Sequence, residues 1–560
     1  MIVLHRNPAR VIVPLAAVCL TAGSCGIAEQ EPPPPQETAQ DPGQQQSDDA
    51  PTATPEATED PGPLVGEQGI SAGHEEAVDA AEAAFDQGGN AVDAAVAGSF
   101  AIAVVEPVAS GIGGGGSAIL AGPEGHPVFY DYREVVNSSG EIPDSGTGVP
   151  GFVAGMGQLH QDYGDLEWEQ VTAPAVELAG EGFEVSDYLA ERIGGGAGAE
   201  LLADAEAFTQ QGQPLAAGDT LVQPELEETL QRLSEAGWED YYTGQLAESL
   251  TEQVEGVDAE SLAGYEVISS EPVTGDLGDY QIVSASPSLP GAALIQMLQI
   301  AEAEGVADMD PESAEYIDAL SRAWKVAEET IDTDLGDPNF VDVPVEEITD
   351  PEANAQLEAT GADQEPQASA EDPEDSAHAN TTHISVVDET GLTVSMTNTV
   401  TDFWGSGQAV DGYFMNNALD RFADIDSAAN QPSPGRRSVT WSNPSMVLDD
   451  QGRPVMAIGT PGGKQILPAL ATVISQWVLQ GADLQEAVDA ARFRSEDSLL
   501  YLEAGQPPEL HTGLAELGWQ IEEWPDSSFG SVQALVIDYD SETITGADDP
   551  RRDGAHRVID

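Results

Sequence analysis

Basic side chains are scarce in this chain. Its 560 residues carry 17 Lys and Arg against 101 Asp and Glu, a formal charge of −84. Only two of the bases are lysines, Lys325 and Lys464. That balance argues against nucleic acid and anionic membrane surfaces as partners, because phosphate recognition runs on Lys and Arg. The acids are not gathered in a tail. They are spread through segments of ordinary hydrophobicity, as in Leu226-Glu227-Glu228-Thr229-Leu230. This is the pattern expected of a globular surface adapted to high salt, where screening suppresses self-repulsion. Cysteine is nearly missing as well: the two present are Cys19 and Cys25. Cys19 lies inside an N-terminal apolar run that is expected to be removed, so the mature chain forms no disulfide. The eight histidines are scattered, and no His/Cys/Asp cluster has metal-ligand spacing. A glycine run at 111–116 is followed by neither a Walker lysine nor dinucleotide spacing. No cofactor and no metal are expected.

Long apolar runs are missing too. Arg6 and Arg10 precede Val11 to Leu20, which is too short to span a bilayer and has the layout of a secretory signal. The small residues Thr21-Ala22-Gly23-Ser24 directly before Cys25 have the form of a lipobox, although Ala22 stands where Leu is commoner. Cys25 is therefore a lipidation candidate, the alternative being ordinary cleavage that leaves an inert thiol. Residues 26–65 are rich in Pro, Gln, Glu, Asp and Thr, a composition that cannot bury enough surface to order itself. The expected organisation is a signal segment at 1–25, a tether at 26–65, and folded sequence from about residue 66.

Within the folded part, Glu75–Gln87 and Ala91–Val105 have helical spacing, separated by the helix stop Gly88-Gly89-Asn90. The glycine run at 111–116 is best explained by close backbone packing under a site. Val128 to Glu134 is read as a strand ending at Arg133-Glu134. In so base-poor a chain Arg133 is a candidate carboxylate binder, with an internal salt bridge as the equal alternative. Further helices are expected over Trp168–Leu178, Glu225–Ala236, Tyr242–Val254 and Gly291–Ala303.

The chain is organised around Asn380-Thr381-Thr382-His383-Ile384-Ser385-Val386-Val387-Asp388. Here a polar, acidic segment without Lys or Arg meets an alternating Val/Ile/Thr/Ser run. That run turns at Asp388-Glu389-Thr390-Gly391 and reads as a β-hairpin. A Thr pair opening a hairpin is ordinary strand chemistry. It is also where a Thr freed by chain cleavage would use its own α-amine as the base that activates its hydroxyl.

Several stretches together resemble the γ-glutamyltranspeptidase family. They are Gly88-Gly89-Asn90-Ala91-Val92-Asp93-Ala94-Ala95, the 111–116 glycines, Tyr132-Arg133-Glu134, Gly148-Val149-Pro150-Gly151 and Thr381-Thr382-His383. Asn416-Asn417, Pro434-Gly435-Arg436-Arg437, Gly459-Thr460-Pro461-Gly462-Gly463 and Asp549-Pro550-Arg551-Arg552-Asp553-Gly554 follow in the family's order. The resemblance implies an α/β (α+β) N-terminal-nucleophile hydrolase, a four-layer αββα sandwich made as one precursor. Cleavage between Asn380 and Thr381 would leave a large subunit, 66–380, associated with a small one, 381–560. It further implies Thr381 as nucleophile, Thr399 as the hydroxyl that orients it, and Gly462 and Gly463 as the oxyanion hole. Arg133 would hold the α-carboxylate of a small γ-glutamyl or related amide substrate.

The glutamate clamp departs from the family. Its two serines fall at Thr440 and Trp441, an Asn falls at Thr401, and a Gln and an Asp fall at Ala418 and Arg421. The last change reverses a charge that would face the donor's ammonium. The stretch between Phe422 and Arg436 is also short, so a lid loop present in some members is not expected. An acylase or amidase with another acyl donor is therefore the first alternative. A non-catalytic binding lipoprotein is the second, and it would be favoured by loss of Thr381, Thr399 or the Gly462-Gly463 pair, all of which are present.

Overall fold

In the computed structural model the described residues are 65–202, 205–357 and 379–560, with side chains left aside at 379 and 380. The signal, Cys25 and residues 26–64 of the tether lie outside them, as does most of the acidic segment before Asn380, whereas Val65, expected as the last tether residue, is buried in a cluster with Val387 and Leu535. Two antiparallel sheets stack face to face and helices cover both outer faces, a four-layer αββα sandwich. One sheet runs, in spatial order, Ala555–Ile559, Gln68–Ala72, Ala379–Val387, Thr393–Asp402, Gly115–Gly122, Gly125–Asp131 and Ile268–Ser270. The other runs Thr543–Ala547, Gln533–Asp538, Pro454–Gly459, Ser445–Leu448, Tyr280–Ser284 and Val273–Leu277.

The alternation of the strand Ala379–Val387 sorts its side chains between two layers. Ile384 and Val386 join the core shared with the helices Glu75–Asp86 and Ala91–Val105, whereas Val387 packs on Leu535 and Ile537 of the facing sheet. His383 and Ser385 share Val387's parity and also face the second sheet: Ser385 Oγ donates to the Gln533 carbonyl at 3.2 Å. Burial pushes the His383 imidazole down to about 3, so it sits neutral against Thr397 Oγ1 at 2.7 Å. By the same parity Thr381 belongs to the space between the sheets and Thr382 to the helix side.

Ala91–Val105 is buried along its whole length and starts on a capping box in which Asn90 and Asp93 satisfy each other's backbone donors. The central glycines pack as expected. A Cβ on Gly114 would stand 2.2 Å from the Thr399 carbonyl, and one on Gly116 2.4 Å from that of Thr397. Asn416 fastens this run to its neighbours, its Nδ2 donating to the Gly113 and Gly148 carbonyls at 2.8 and 3.0 Å.

Two further expectations are corrected. The strand expected to end at Arg133-Glu134 stops at Asp131; Tyr132 still exchanges backbone hydrogen bonds with Gly116, and Arg133, on the same face as Asp131, closes onto its carboxylate. The helix expected over Tyr242–Val254 is two helices, Asp240–Thr243 and Gln245–Gln253, interrupted at Gly244. Asp240 causes the break: its carboxylate accepts from the Gln245 and Leu246 amides and holds Arg232, which caps a new helix start.

Candidate active site

Opposite Thr381 the hairpin register slips. Asn380 pairs with Thr401 and Thr382 with Asn398, so Thr399 and Val400 together face Thr381. The bulge re-aims the Thr399 side chain toward its partner strand. Thr381 Oγ1 donates to Thr399 Oγ1 at 3.4 Å, and Thr399 Oγ1 also accepts the Thr401 amide at 2.8 Å. Thr401 has φ +88°, a conformation that a β-branched residue adopts only under constraint. Both ends of that constraint are visible: Val400 N is held by the Ala109 carbonyl at 3.0 Å, and Asn417 Oδ1 takes the Asp402 amide at 3.1 Å.

From the facing sheet, the strand Pro454–Gly459 delivers Gly462 and Gly463 at the entrance to the helix Ile466–Gln480. Their φ values, +132° and +58°, turn the backbone through a region closed to most side chains. A helix start also presents partial positive charge, which suits a developing oxyanion. A cavity of about 10 Å³ is lined by Thr381, Thr399, Thr401, Thr440 and Gly463, together with Arg421, Trp441, Ser442 and Ile466. In the uncut chain this is about the least space that holds one water. A larger cavity, about 660 Å³, lies among Leu202, Phe208, Leu215 and Phe414. It contains none of the expected site residues, whereas Thr381, Thr399, Thr401, Thr440 and Gly463 line the small one.

Gly462 directly precedes the lining residue Gly463, while Arg133 does not line the cavity. Its guanidinium is committed to Asp131 (2.7 Å), Ser288 Oγ (2.9 Å) and the Ser438 carbonyl (2.8 Å). Arg437 reaches the same Asp131 at 3.2 Å. Burial pushes the Asp131 carboxyl up, but the two guanidiniums outweigh it and hold the group below the usual carboxylate range. The adjacent Glu134 is not in the ion pair; burial drives its carboxyl up to about 7.

Arg421 does line the cavity. It is buried, pairs with Asp402 at 2.7 Å and with Asp424, and lies 5.1 Å from the Trp441 ring centroid. Lys464 approaches the same ring at 5.9 Å. Ser442 and Ile466 carry no signal in the sequence. Lys464 carried one signal, as a rare lysine immediately after the Gly462-Gly463 pair. Among the described residues no group of His, Cys, Asp and Glu is arranged to hold a metal ion.

The gamma-glutamyltranspeptidase family profile matches residues 77–559. This chain belongs to that family. It is 32% identical over 490 residues to the capsule biosynthesis protein CapD proenzyme of Bacillus anthracis, covering 87% of this chain and 90% of that one. It is 29% identical over 539 residues to the glutathione hydrolase proenzyme of Bacillus subtilis strain 168, covering 88% and 91%. Among solved structures, a cephalosporin acylase from Bacillus halodurans superposes with a TM-score of 0.79 at 22% identity, over 91% of this chain and 98% of that one, a likeness of fold. The family's enzymes are threonine N-terminal-nucleophile hydrolases and acyltransferases, and this chain is an enzyme of that kind.

Proposed function

We propose that the protein is made as one precursor, cuts itself between Asn380 and Thr381, and then transfers acyl groups through Thr381. The freed α-amine accepts the Thr381 hydroxyl proton as the oxygen attacks the carbonyl of a γ-glutamyl or related small amide. Thr399 orients that hydroxyl, and the Gly462 and Gly463 amides stabilise the tetrahedral oxyanion, each donor being worth about 2.7–4 kcal/mol of barrier. Collapse returns that proton from the α-ammonium to the leaving nitrogen, expels the amine and leaves an ester on Thr381, which water or a second amine resolves. The observation that carries this reading is the 3.4 Å Thr381–Thr399 hydroxyl pair in one cavity with Gly463. Residues 66–380 and 381–560 remain associated as large and small subunits. Cys25 tethers the exported enzyme to the outside of a membrane through a lipid, and the acidic surface suits high salt. Among the described residues no helix is long and apolar enough to cross a membrane.

A second reading, an acylase for donors without an α-ammonium group, is favoured by Arg421 in the cavity wall. A cation there raises the energy of a bound ammonium, lowers that of a carboxylate and leaves a neutral group without penalty.

The test is the purified protein in molar salt, with subunit masses, N-terminal sequencing of the smaller chain, and turnover of L-γ-glutamyl- and glutaryl-4-nitroanilide. A smaller chain beginning at Thr381 and release of nitroaniline support the reading. A chain that stays uncut and inert overturns it. Preference for the glutaryl anilide selects the acylase.

A further inference from the structure

Immediately behind the nucleophile lies a second buried group that the proposed reaction does not use. Thr382 points to the helix side of its sheet, and there its Oγ1 has no hydrogen-bond partner of normal geometry. Neither has Oε2 of Glu106, which caps the end of the helix Ala91–Val105. Both residues are buried, Thr382 to 1% and Glu106 to 7% exposure. The two oxygens are neighbours: a Cβ on Gly73 would stand 2.7 Å from Thr382 Oγ1 and 2.9 Å from Glu106 Oε2. Residue 73 is thus the lid of a polar pair, and a side chain there would force the pair apart.

The turn that Glu106 opens is rigid and reaches the same hairpin from the other strand. Glu106 N donates to the Ile102 carbonyl at 2.8 Å, and its own carbonyl takes the Ala109 and Ser110 amides at 2.9 and 3.1 Å. The Ala109 and Val108 carbonyls then accept from Val400 and Trp404, each at 3.0 Å. One turn therefore fixes the bulge at Thr399-Val400 through its backbone and stands against residue 382 through its side chain. Thr381 lies between those two points.

We propose that the Glu106 carboxylate is a positioning residue for the nucleophile: it accepts the Thr382 hydroxyl from behind the sheet and so fixes the Thr381 backbone against Thr399. The charged groups facing Glu106 are Arg552 and Asp553 of the closing Asp-Pro-Arg-Arg-Asp-Gly stretch, and Asp553 in turn faces His74 at the start of the first helix. Asp553 is held by Ser186 Oγ at 2.5 Å. Burial drives the Glu106 carboxyl up, Thr382 and Arg552 pull it back, and it comes to rest at about 7. As pH falls through that value the carboxylate takes up a proton and stops being a pure acceptor, so Thr382 loses its fixed partner and Thr381 its alignment. The α-amine of Thr381 must also be neutral to act as base, and an unperturbed one titrates at about 7.7–8.0. Two groups then shape the acid limb of the wild-type kcat profile.

The inference rests on Thr381 as the nucleophile. The experiment measures kcat and KM from pH 5 to 10 for wild type, Glu106→Gln, Thr382→Val and Thr382→Ser, with whichever nitroanilide the wild type turns over and with cleavage checked by mass. Wild type is expected to lose activity toward acid more steeply than one proton allows. Glu106→Gln and Thr382→Val are expected to fall along a single-proton limb, with kcat lowered about tenfold at the optimum and KM unchanged. Thr382→Ser, which keeps the hydroxyl, restores the steeper limb. Cleaved, active Glu106→Gln and Thr382→Val enzymes with the wild-type limb overturn this inference and leave the nucleophile standing. A wild type that is uncut and inert overturns both.

Discussion

The two walls of the cavity differ in what holds them. On the wall proposed to carry the nucleophile the backbone does the work: a bulge presents Thr399, the Ala109 carbonyl pins Val400, and Gly462 and Gly463 turn through positive φ at the end of a strand of the facing sheet. On the acyl wall, the one proposed to meet the donor, side chains decide. Arg421, Trp441 and Thr440 occupy it, and two cations share one aromatic ring. Backbone geometry tolerates few changes, whereas side chains on a fixed frame are exchanged one at a time. On the proposed reading, donor preference could then change while the acyl-transfer frame stays in place.

The nucleophile wall is the sharper of the two to break. Thr381→Ala removes the attacking oxygen both for chain cleavage and for turnover, so a single uncut chain with no detectable activity is expected on a denaturing gel and in either nitroanilide assay. A cleaved, active variant would place the nucleophile elsewhere.

Arg133 tests whether the acyl wall extends beyond the cavity. Its guanidinium is buried among Asp131, Ser288 and Ser438, so Arg133→Ala leaves Asp131 with Arg437 alone. Breaking a buried pair of this kind costs on the order of 3 kcal/mol. Denaturant unfolding should show that loss, with carboxylate-bearing and neutral donors reduced alike. A selective rise in KM for carboxylate donors at unchanged stability would instead make Arg133 a substrate ligand.

Arg421 tests the wall proper. Arg421→Gln removes the cation while keeping a hydrogen-bonding side chain over Trp441. The ratio of kcat/KM for the γ-glutamyl over the glutaryl anilide should rise about tenfold, equivalent to ~1.4 kcal/mol. An unchanged ratio would show that Asp402 and Asp424 already neutralise Arg421 and that selectivity is set by shape.

Much of this was legible in the sequence because it follows from local pattern. The hairpin at 379–402 announces itself by alternation and an Asp-Glu-Thr-Gly turn, and Ala91–Val105 by its apolar run between Asn90 and Pro107. The meaning of the signature residues was harder to read. Asn90, Asp93, Asn416, Arg437 and Asp549 turn out to fasten the backbone: Asp549 takes the Val532 and Arg551 amides and lies against the Arg551 guanidinium. Arg133 could be read as either ligand or fastener, since its partner Asp131 is two residues away on the same face of an extended segment, while Ser288 and Ser438, which complete its setting, are distant in sequence. Glu106 carried no signal, because its role depends on residues 73, 382 and 552 meeting at one helix end.

The smallest expected effect asks whether the rigidity of the nucleophile wall carries a cost. Thr401 holds φ +88° opposite Asn380, and a β-branched residue so placed stores about 1–3 kcal/mol. Thr401→Gly removes the steric part of that cost but adds backbone freedom to the unfolded chain, which takes back about 0.5–1 kcal/mol. The net expectation is a gain of about 1 kcal/mol. In a chain this long that raises Tm by no more than about 2–4 °C. The measurement belongs in the Thr381→Ala precursor, where the strand is uncut and its pairing with residue 401 intact. A gain would mean the bulge is held against its own preference by Ala109 and Asn417, strain that presents Thr399 to Thr381. A loss would mean the Thr401 side chain supports the wall directly, and the division between a backbone wall and a side-chain wall would end one residue earlier, at Val400.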